Sequence, residues 1–355
     1  MQEKERKAGN YIKDNTLMLL EKIMDTYTKT YKKDMVEFDK KNTSMYLNGL
    51  KYHLAYLSES LMFSSPELFL SAIRWGKVYM PSIKVPTDHI NIILISMRDT
   101  FKEIMPEDIK NPVINYLNEA LEKIDGFSTE IPSFLDENKL LKKESKKYLE
   151  LLLNNDRMKA GRLVLDLVKK GKEIKDIYIE IFQNTQYELG RLWQTGVISV
   201  AQEHHCTAST QIIMSQLYPY IFRGKKSGNV FIGACVSGEL HEIGIRMLSD
   251  ILELNGWDTY YLGANMPVES IIKTIIDKKA TVLGLSATMT FHVEKIEQQI
   301  KAVRESKECR NIKIITGGYV FKLSRNLWKK IGADTYGEDL NDSLSKINNI
   351  QSFKV

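Results

Sequence analysis

The chain has 355 residues, enough for two or three domains of about 150 residues each. With 43% hydrophobic and 27% charged residues it is typical of packed globular domains, which excludes disordered and collagen-like chains. The net charge of +5 comes from scattered basic residues and does not predict nucleic-acid binding, and three separated cysteines form no disulfide framework. No apolar run reaches the ~18 residues of a membrane span and no signal sequence begins the chain, so we expect a cytoplasmic protein.

Residues 1–130 show only helical periodicity. Apolar residues recur at spacings of three and four, with no strand pattern between them. Ser65, directly before Pro66, is expected to cap a helix with its side-chain oxygen, and Thr87 begins another helix. We therefore predict an all-helical first domain that serves as a sensor or interaction domain.

Aromatic residues are concentrated in residues 52–80 of this domain. Aromatic side chains at helical spacing are typical of a helical core, which predicts that role for Tyr52, Tyr56, Phe63, Phe69, Trp75 and Tyr79. The pattern around His53 and His89 does not distinguish them from surface histidines.

A second helical block at residues 138–223 follows a linker at residues 126–139 that is rich in Gly, Pro, Ser and acids. Four helical segments with short turns predict a compact four-helix bundle, which we call the cap. Gly171 and Gly196 stand where helices end and where a positive φ is needed.

Three residues of the cap form a spaced pattern. Trp193 ends the third helix, and Glu203 and His204 follow after nine intervening residues. The fourth helix opens with a capping box that joins Ser199 and Gln202. Because a short turn joins the two helices, we expect Trp193, Glu203 and His204 to converge on one small volume.

The pattern changes at residues 228–355, after a Gly-, Ser- and Lys-rich linker at residues 223–229. Five strand-helix units predict a doubly wound α/β domain with a mostly parallel sheet, which binds ligands at the carboxyl ends of its strands. The predicted strands are VFIGACV, DTYYLG, TVLGLSA, IKIITGG and DTYG. The complete fold class is multidomain, α and α/β.

Residues that suit a ligand site follow these strands. After the first strand comes Glu239-x-His241-x-x-Gly244, in which the carboxylate is placed to hydrogen-bond one imidazole nitrogen, as a metal-ligating histidine requires. Small side chains at later strand ends leave room for a large flat ligand or a nucleotide-like tail. These are Ser286, Thr288, Gly317 and Gly318. Each feature alone is also typical of an ordinary loop.

On these motifs, residues 228–350 resemble the cobalamin (B12)-binding domain of methionine synthases and B12-dependent mutases. The resemblance implies cobalamin as cofactor and His241 as its lower cobalt ligand. Glu239 would be the partner of that histidine, although the family more often has aspartate there. The nucleotide tail of the cofactor would be flanked by Ser286, Thr288, Gly317 and Gly318.

The Trp193-x9-Glu203-His204 pattern resembles the cap of CarH-type adenosylcobalamin photoreceptors. The resemblance implies that Trp193 gives the adenosyl group a stacking surface and that Glu203 contacts that group. His204 would become an upper cobalt ligand once light has broken the cobalt-carbon bond. It further implies a homo-oligomer whose state depends on light.

The N-terminal helical domain is similar to that of photocobilin-type sensors, which implies a bilin such as biliverdin as a second cofactor. It has neither a recognition-helix pattern nor a basic cluster, so we expect no direct nucleic-acid binding. The leading hypothesis is therefore an adenosylcobalamin-binding light sensor, not an enzyme, that signals to a separate output protein. The alternatives are a corrinoid carrier of a methyltransferase system and a sensor of cobalamin availability.

Overall fold

The computed structural model of the chain describes residues 2–31, 40–137, 140–222 and 226–351. It divides into two compact units. Unit 1 comprises the chain up to Glu130 with Met289–Glu294 and Lys322–Lys330, and unit 2 comprises Ile131–Thr288, Lys295–Phe321 and Ile331–Val355. The predicted combination of an all-helical region with an α/β region is confirmed. Of the predicted linkers, residues 138–139 and 223–225 lie outside the described residues.

The N-terminal part of unit 1 is helical, as its periodicity predicts. Its helices are α1 (Gln2–Asp14), α2 (Thr16–Tyr31), α3 (Lys40–Met62), α4 (Pro66–Ser82), α5 (Asp88–Ile104) and α6 (Glu107–Lys123). Their apolar faces pack into one core that includes Leu19, Leu54, Leu57, Phe69, Leu94 and Phe101. The three- and four-residue spacing of such positions places them on one face of each helix, and this explains the packing.

Two details of unit 1 differ from the sequence prediction. The helices begin after Ser65 and Thr87 as expected, but neither side chain caps its helix. The hydroxyl of Ser65 donates instead to the carbonyl oxygen of Phe63, at 3.0 Å, because the chain turns back there into the end of α3. The expected side-chain cap at Ser65 was therefore wrong, although both helix starts were right.

The aromatic core prediction for unit 1 is only partly correct. Phe63 and Phe69 are buried, whereas Tyr52 and Trp75 are exposed. His53, which the sequence did not distinguish from a surface residue, is buried, and burial lowers its pKa to about 4. Helical spacing identifies the inward face of a helix, but the neighbouring helices decide how far around that face burial extends.

The first helix of unit 2 is α7 (Phe134–Glu137), which precedes the cap. The cap helices are α8 (Lys142–Leu153), α9 (Arg157–Lys169), α10 (Ile174–Asp176), a π-helical segment (Ile177–Gln183), α11 (Asn184–Gln194), α12 (Val200–Ser215) and α13 (Tyr218–Ile221). Gly171 and Gly196 have φ values of 79° and 74°, and the capping box of Ser199 and Gln202 is formed. The π-helical segment in the middle of the predicted third helix was not anticipated.

The second half of unit 2 is a five-stranded parallel sheet with the order β2-β1-β3-β4-β5. Its strands are β1 (Val230–Cys235), β2 (Asp258–Gly263), β3 (Val282–Ser286), β4 (Lys313–Gly317) and β5 (Thr335–Tyr336). Strand order reverses at β1, which creates a crevice outside the carboxyl ends of β1 and β3. The register pairs Ser286 with both Cys235 and Gly317, so the loops that follow these three strands lie side by side.

Helices alternate with the strands along the chain, as the sequence predicts. They are α14 (Ile243–Leu254), α15 (Val268–Lys278), α16 (Val293–Glu305), α17 (Tyr319–Leu323), α18 (Leu327–Lys330) and α19 (Leu340–Gln351). Two short helices, α17 and α18, lie between β4 and β5, because a turn separates them where the amide of Leu327 donates to the carbonyl oxygen of Ser324. Among the described residues, no helix is long and apolar enough to cross a membrane.

The turn after β4 depends on one glycine. Gly318 has a φ of 101°, and a Cβ built on it would lie 2.1 Å from the carbonyl oxygen of Ala287. A Cβ on the neighbouring Gly317 would meet nothing closer than 3.8 Å. The two glycines therefore have different physical roles, although the sequence presents them as a pair.

We expect Gly318→Ala to lower the free energy of unfolding by about 3 kcal/mol or more, because it adds backbone strain and a main-chain clash. Gly317→Ala is the matched control and should change this free energy by less than about 1 kcal/mol. Urea titration of the ligand-free proteins measures both values. Equal losses of unfolding free energy in the two variants would contradict the different roles assigned to Gly317 and Gly318.

Candidate functional site

The centre of the site is a buried carboxylate in the loop after β1, residues 236–242, which we call the His241 loop. Glu239 has no exposed surface. Its Oε1 accepts hydrogen bonds from the amides of Leu240 and His241, both at 2.9 Å, and from Nδ1 of His241 at 2.5 Å. Its Oε2 accepts the amide of Thr288 at 2.7 Å, from the loop after β3. These four donors are N–H groups, and they compensate the buried charge.

This network orients the imidazole of His241. Because Nδ1 donates to Glu239, the acceptor nitrogen of the neutral ring is Nε2. No hydrogen bond to Nε2 is found within the described part of the chain, and 60% of the side chain is exposed. A histidine with one nitrogen held by a carboxylate and the other presented outward is the arrangement of a metal ligand.

Electrostatic interactions also change the proton affinity of His241. The hydrogen bond to Glu239 raises the pKa of His241, partial burial opposes that rise, and the charges of Glu239 and Glu203 add to it. Glu203 lies on α12 of the cap, so the cap places a second carboxylate close enough to His241 to affect its proton affinity. That residues of the cap and of the His241 loop form one site stays a prediction.

Asn265, after β2, is a site residue that the sequence analysis missed. Its side-chain Oδ1 accepts the main-chain amide of Gly238 at 2.7 Å, and its main-chain amide donates to the carbonyl oxygen of Glu239 at 3.0 Å. It has a φ of 53°, a conformation that asparagine tolerates better than most residues. Asparagine at a strand end was the available signal, but only the structure shows that it closes the His241 loop.

The remaining predicted residues of the α/β half lie around the same edge. Ser286 is buried at the end of β3, between the ends of β1 and β4. Gly317 and Gly318 end β4 and begin the next loop. Gly244 lies in the first turn of α14, where a Cβ would meet no atom within 4 Å. This edge therefore has the small side chains that the sequence indicates.

In the cap, Glu203 is held by its neighbours. Its Oε1 accepts the hydroxyl of Thr207 at 2.8 Å, and Nε2 of His204 lies 3.5 Å from its Oε2. The Thr207 hydroxyl also lies 2.7 Å from Oε1 of Gln186. Trp193 is half-buried and packs against the hydrophobic core that the cap shares with the sheet. Its convergence on Glu203 and His204 stays a prediction.

Apolar side chains are exposed beside these polar groups. Leu240, the residue before His241, is 72% exposed, and Val200 and Ile212 of α12 are also exposed. Val200 and His204 lie one turn apart on α12, and Ile212 lies about two turns after His204. A flat ligand with apolar and amide groups would cover such a surface, so the residues present fit a corrinoid bound through His241.

Family models identify the class of protein that this fold and site define. Residues 229–345 and residues 145–218 each match a model described as a B12 binding domain. The matches cover the α/β half and the cap helices. This part of the chain therefore belongs to the B12-binding domain family, and the predicted resemblance to that family is confirmed.

The relatives of this chain include corrinoid proteins of Methanosarcina species. It is 27% identical to dimethylamine corrinoid protein 2 of Methanosarcina acetivorans over 194 residues, which cover 52% of this chain and 86% of that protein. It is 25% identical to the trimethylamine corrinoid protein of Methanosarcina barkeri over 201 residues, 54% of this chain and 85% of that protein.

A solved structure shares the fold. The monomethylamine corrinoid protein of Methanosarcina barkeri matches 59% of this chain and 99% of its own length, with a TM-score of 0.53 and 20% sequence identity. At this identity the likeness shows the fold alone. CarH-type features beyond the B12-binding fold are not shown by any of these similarities.

We expect Glu239→Gln to lower the pKa of His241, because the substitution removes the negative charge that stabilises the imidazolium. It should also lower the free energy of unfolding by about 1–3 kcal/mol, because a glutamine amide group would face an N–H donor. The raised pKa means that the pair stabilises the fold below the unfolded-state pKa of histidine, about 6.5, and that this contribution is lost as the pH rises through the folded-state pKa.

NMR titration of the histidine rings measures this change. The ring signals of His205, whose Nε2 pairs with Asn155 at 2.8 Å outside the network, serve as an internal control and should be the same in both proteins. An unchanged pKa of His241 in the variant would contradict the assigned pairing.

Proposed function

We propose that the cap and the α/β half of this chain bind a corrinoid and that the chain is a corrinoid carrier of a methyltransferase system. The observation that carries the proposal is His241, fixed through Nδ1 by a buried carboxylate and exposed at the carboxyl edge of a B12-binding domain. Support for a carrier comes from the relatives, which are methylamine corrinoid proteins. A carrier was one alternative of the sequence analysis, and the relatives favour it over the light sensor.

In this function the cofactor, when bound, supplies a cobalt centre that accepts and releases a methyl group. His241 would hold the cobalt through Nε2, and Glu239 fixes the tautomer and direction of the ring. Ser286, Gly317 and Gly318 leave space for the nucleotide tail at the ends of β3 and β4, and Thr288 holds Glu239 through its amide. A separate methyltransferase is the partner that this function requires.

A second candidate is the adenosylcobalamin light sensor. The observation that favours it is the spacing of Trp193, Glu203 and His204, with Glu203 held by Thr207 and affecting His241 electrostatically. In this candidate function Trp193 and Glu203 would contact the adenosyl group, His204 would become a cobalt ligand after photolysis, and the homo-oligomer would change in light. A bilin in the N-terminal domain would belong to this candidate, and a sensor of cobalamin availability would use the same lower site.

Cobalamin binding is tested by loading the protein in darkness with methylcobalamin and, separately, adenosylcobalamin, followed by desalting and absorption spectroscopy. We expect both the wild type and His205→Ala to retain cobalamin with a histidine-coordinated spectrum. His241→Ala should lose this spectrum and bind the cofactor at least tenfold more weakly, since a ligating histidine contributes directly to metal affinity. Equal retention by His241→Ala and the wild type would contradict the site.

The same samples separate the two candidates. A carrier should retain methylcobalamin and transfer its methyl group to a thiol acceptor when the cognate methyltransferase is added. A light sensor should prefer adenosylcobalamin, and green light should convert its spectrum and change its elution volume in size-exclusion chromatography. Trp193→Ala should abolish that preference for the adenosyl form only if the second candidate is correct.

A further inference from the structure

A hydrogen bond joins the cap to the last residue of the His241 loop. Glu242, the residue after His241, accepts the side-chain amide of Gln211 at 2.8 Å through Oε1. Gln211 lies on α12, two turns after Glu203 and one turn after Thr207, so these side chains share one face of the helix. Helix α12, which carries Glu203 and His204, is therefore hydrogen-bonded to the residue next to His241, the proposed lower cobalt ligand.

The second oxygen of Glu242 is also engaged. Oε2 accepts the amide of Ala264 at 2.9 Å, in the loop after β2. A Cβ at Gly263, whose φ is 84°, would lie only 3.2 Å from this oxygen. The absence of a side chain at Gly263 therefore prevents a close contact with the Glu242 carboxylate. Glu242 thus holds the helix α12 with one oxygen and the sheet edge with the other.

The backbone transmits this restraint to His241. Glu242 is the N-cap residue of α14, and its carbonyl oxygen accepts the amide of Arg246 at 3.1 Å. His241 lies between Glu239 and Glu242, each of which is bonded to a different element. A displacement of α12 would break the bond from Gln211 or pull the carboxylate of Glu242 away from Ala264, and either change frees one side of the His241 loop.

We propose that Gln211 and Glu242 are positioning residues, whose hydrogen bond sets the place of the His241 loop relative to the cap helix α12. This inference rests on the proposed function, in which His241 coordinates cobalt. The pair acts through the loop and does not touch the metal. It defines the distance between the cap face that bears Glu203 and the imidazole of His241, and therefore the width of the gap for the corrin ring.

The test exchanges the side-chain types at positions 211 and 242. Gln211→Glu places a second carboxylate against Glu242 and should break the contact by repulsion. Adding Glu242→Gln restores it, because the new amide donates to the carboxylate at 211 while its oxygen still accepts the amide of Ala264. Ser215→Ala is the matched control, since it removes the next bond between the same helices, from Arg246 to Ser215 Oγ at 2.7 Å, without touching the loop.

The first readout needs no cofactor. Hydrogen exchange of the amides of Leu240, His241 and Ala264 should be about tenfold faster in Gln211→Glu, as expected for the loss of one hydrogen bond to a charged group. Exchange should return to the wild-type rate in the double variant and stay unchanged in Ser215→Ala. Wild-type rates in Gln211→Glu, no recovery in the double variant, or equal acceleration in Ser215→Ala would each overturn the proposal.

The second readout is coordination by His241. Protein labelled with ¹⁵N-histidine and loaded with cob(II)alamin should show the ¹⁵N coupling of one histidine in its electron paramagnetic resonance spectrum. The coordinated fraction should fall in Gln211→Glu and recover in the double variant. If the wild type shows no such coupling, the proposed function fails, whereas the amide exchange still decides the inference. Unchanged coordination in Gln211→Glu would overturn the inference and leave the proposed function intact.

Discussion

The buried carboxylate of Glu239 is the interaction on which the site depends. An ionised carboxylate without exposed surface is stable only when its oxygens are fully hydrogen-bonded. Here the donors come from the His241 loop itself and from Thr288 in the loop after β3. Because β1 and β3 are neighbouring parallel strands, their carboxyl ends bring these donors together. The direction of the His241 ring is therefore a consequence of sheet topology.

The cap and the α/β half also meet through buried polar groups. The hydroxyl of Tyr178, in the π-helical segment, donates to Asp250 of α14 at 2.8 Å, and Arg246 donates to Tyr218 and Ser215. Burial raises the pKa of Asp250 to about 6. Buried polar contacts contribute less to stability than apolar packing would, and they dictate one alignment of the surfaces they join. This boundary is suited to precise placement of the cap over the sheet edge.

A cofactor that binds between a cap and a sheet requires residues on both sides to be placed independently of it. On the sheet side, Asn265 and Glu239 hold the loop of His241 in the ligand-free chain. On the cap side, Thr207 holds Glu203. Such preorganisation reduces the entropy that binding must overcome. In the proposed function, exposed apolar residues such as Leu240 would be covered by the bound corrinoid.

The sequence by itself determined the strand order along the chain, the helical cap and the pairing of Glu239 with His241. These follow from local patterns, namely alternating strand and helix periods and a two-residue spacing within one loop. Only the tertiary structure decided the contacts of Thr288, Asn265 and Gln211, because these residues reach the His241 loop from elements that are distant along the chain. No local pattern encodes such contacts, since they depend on which strands pair, in which register, and where α12 lies against that edge.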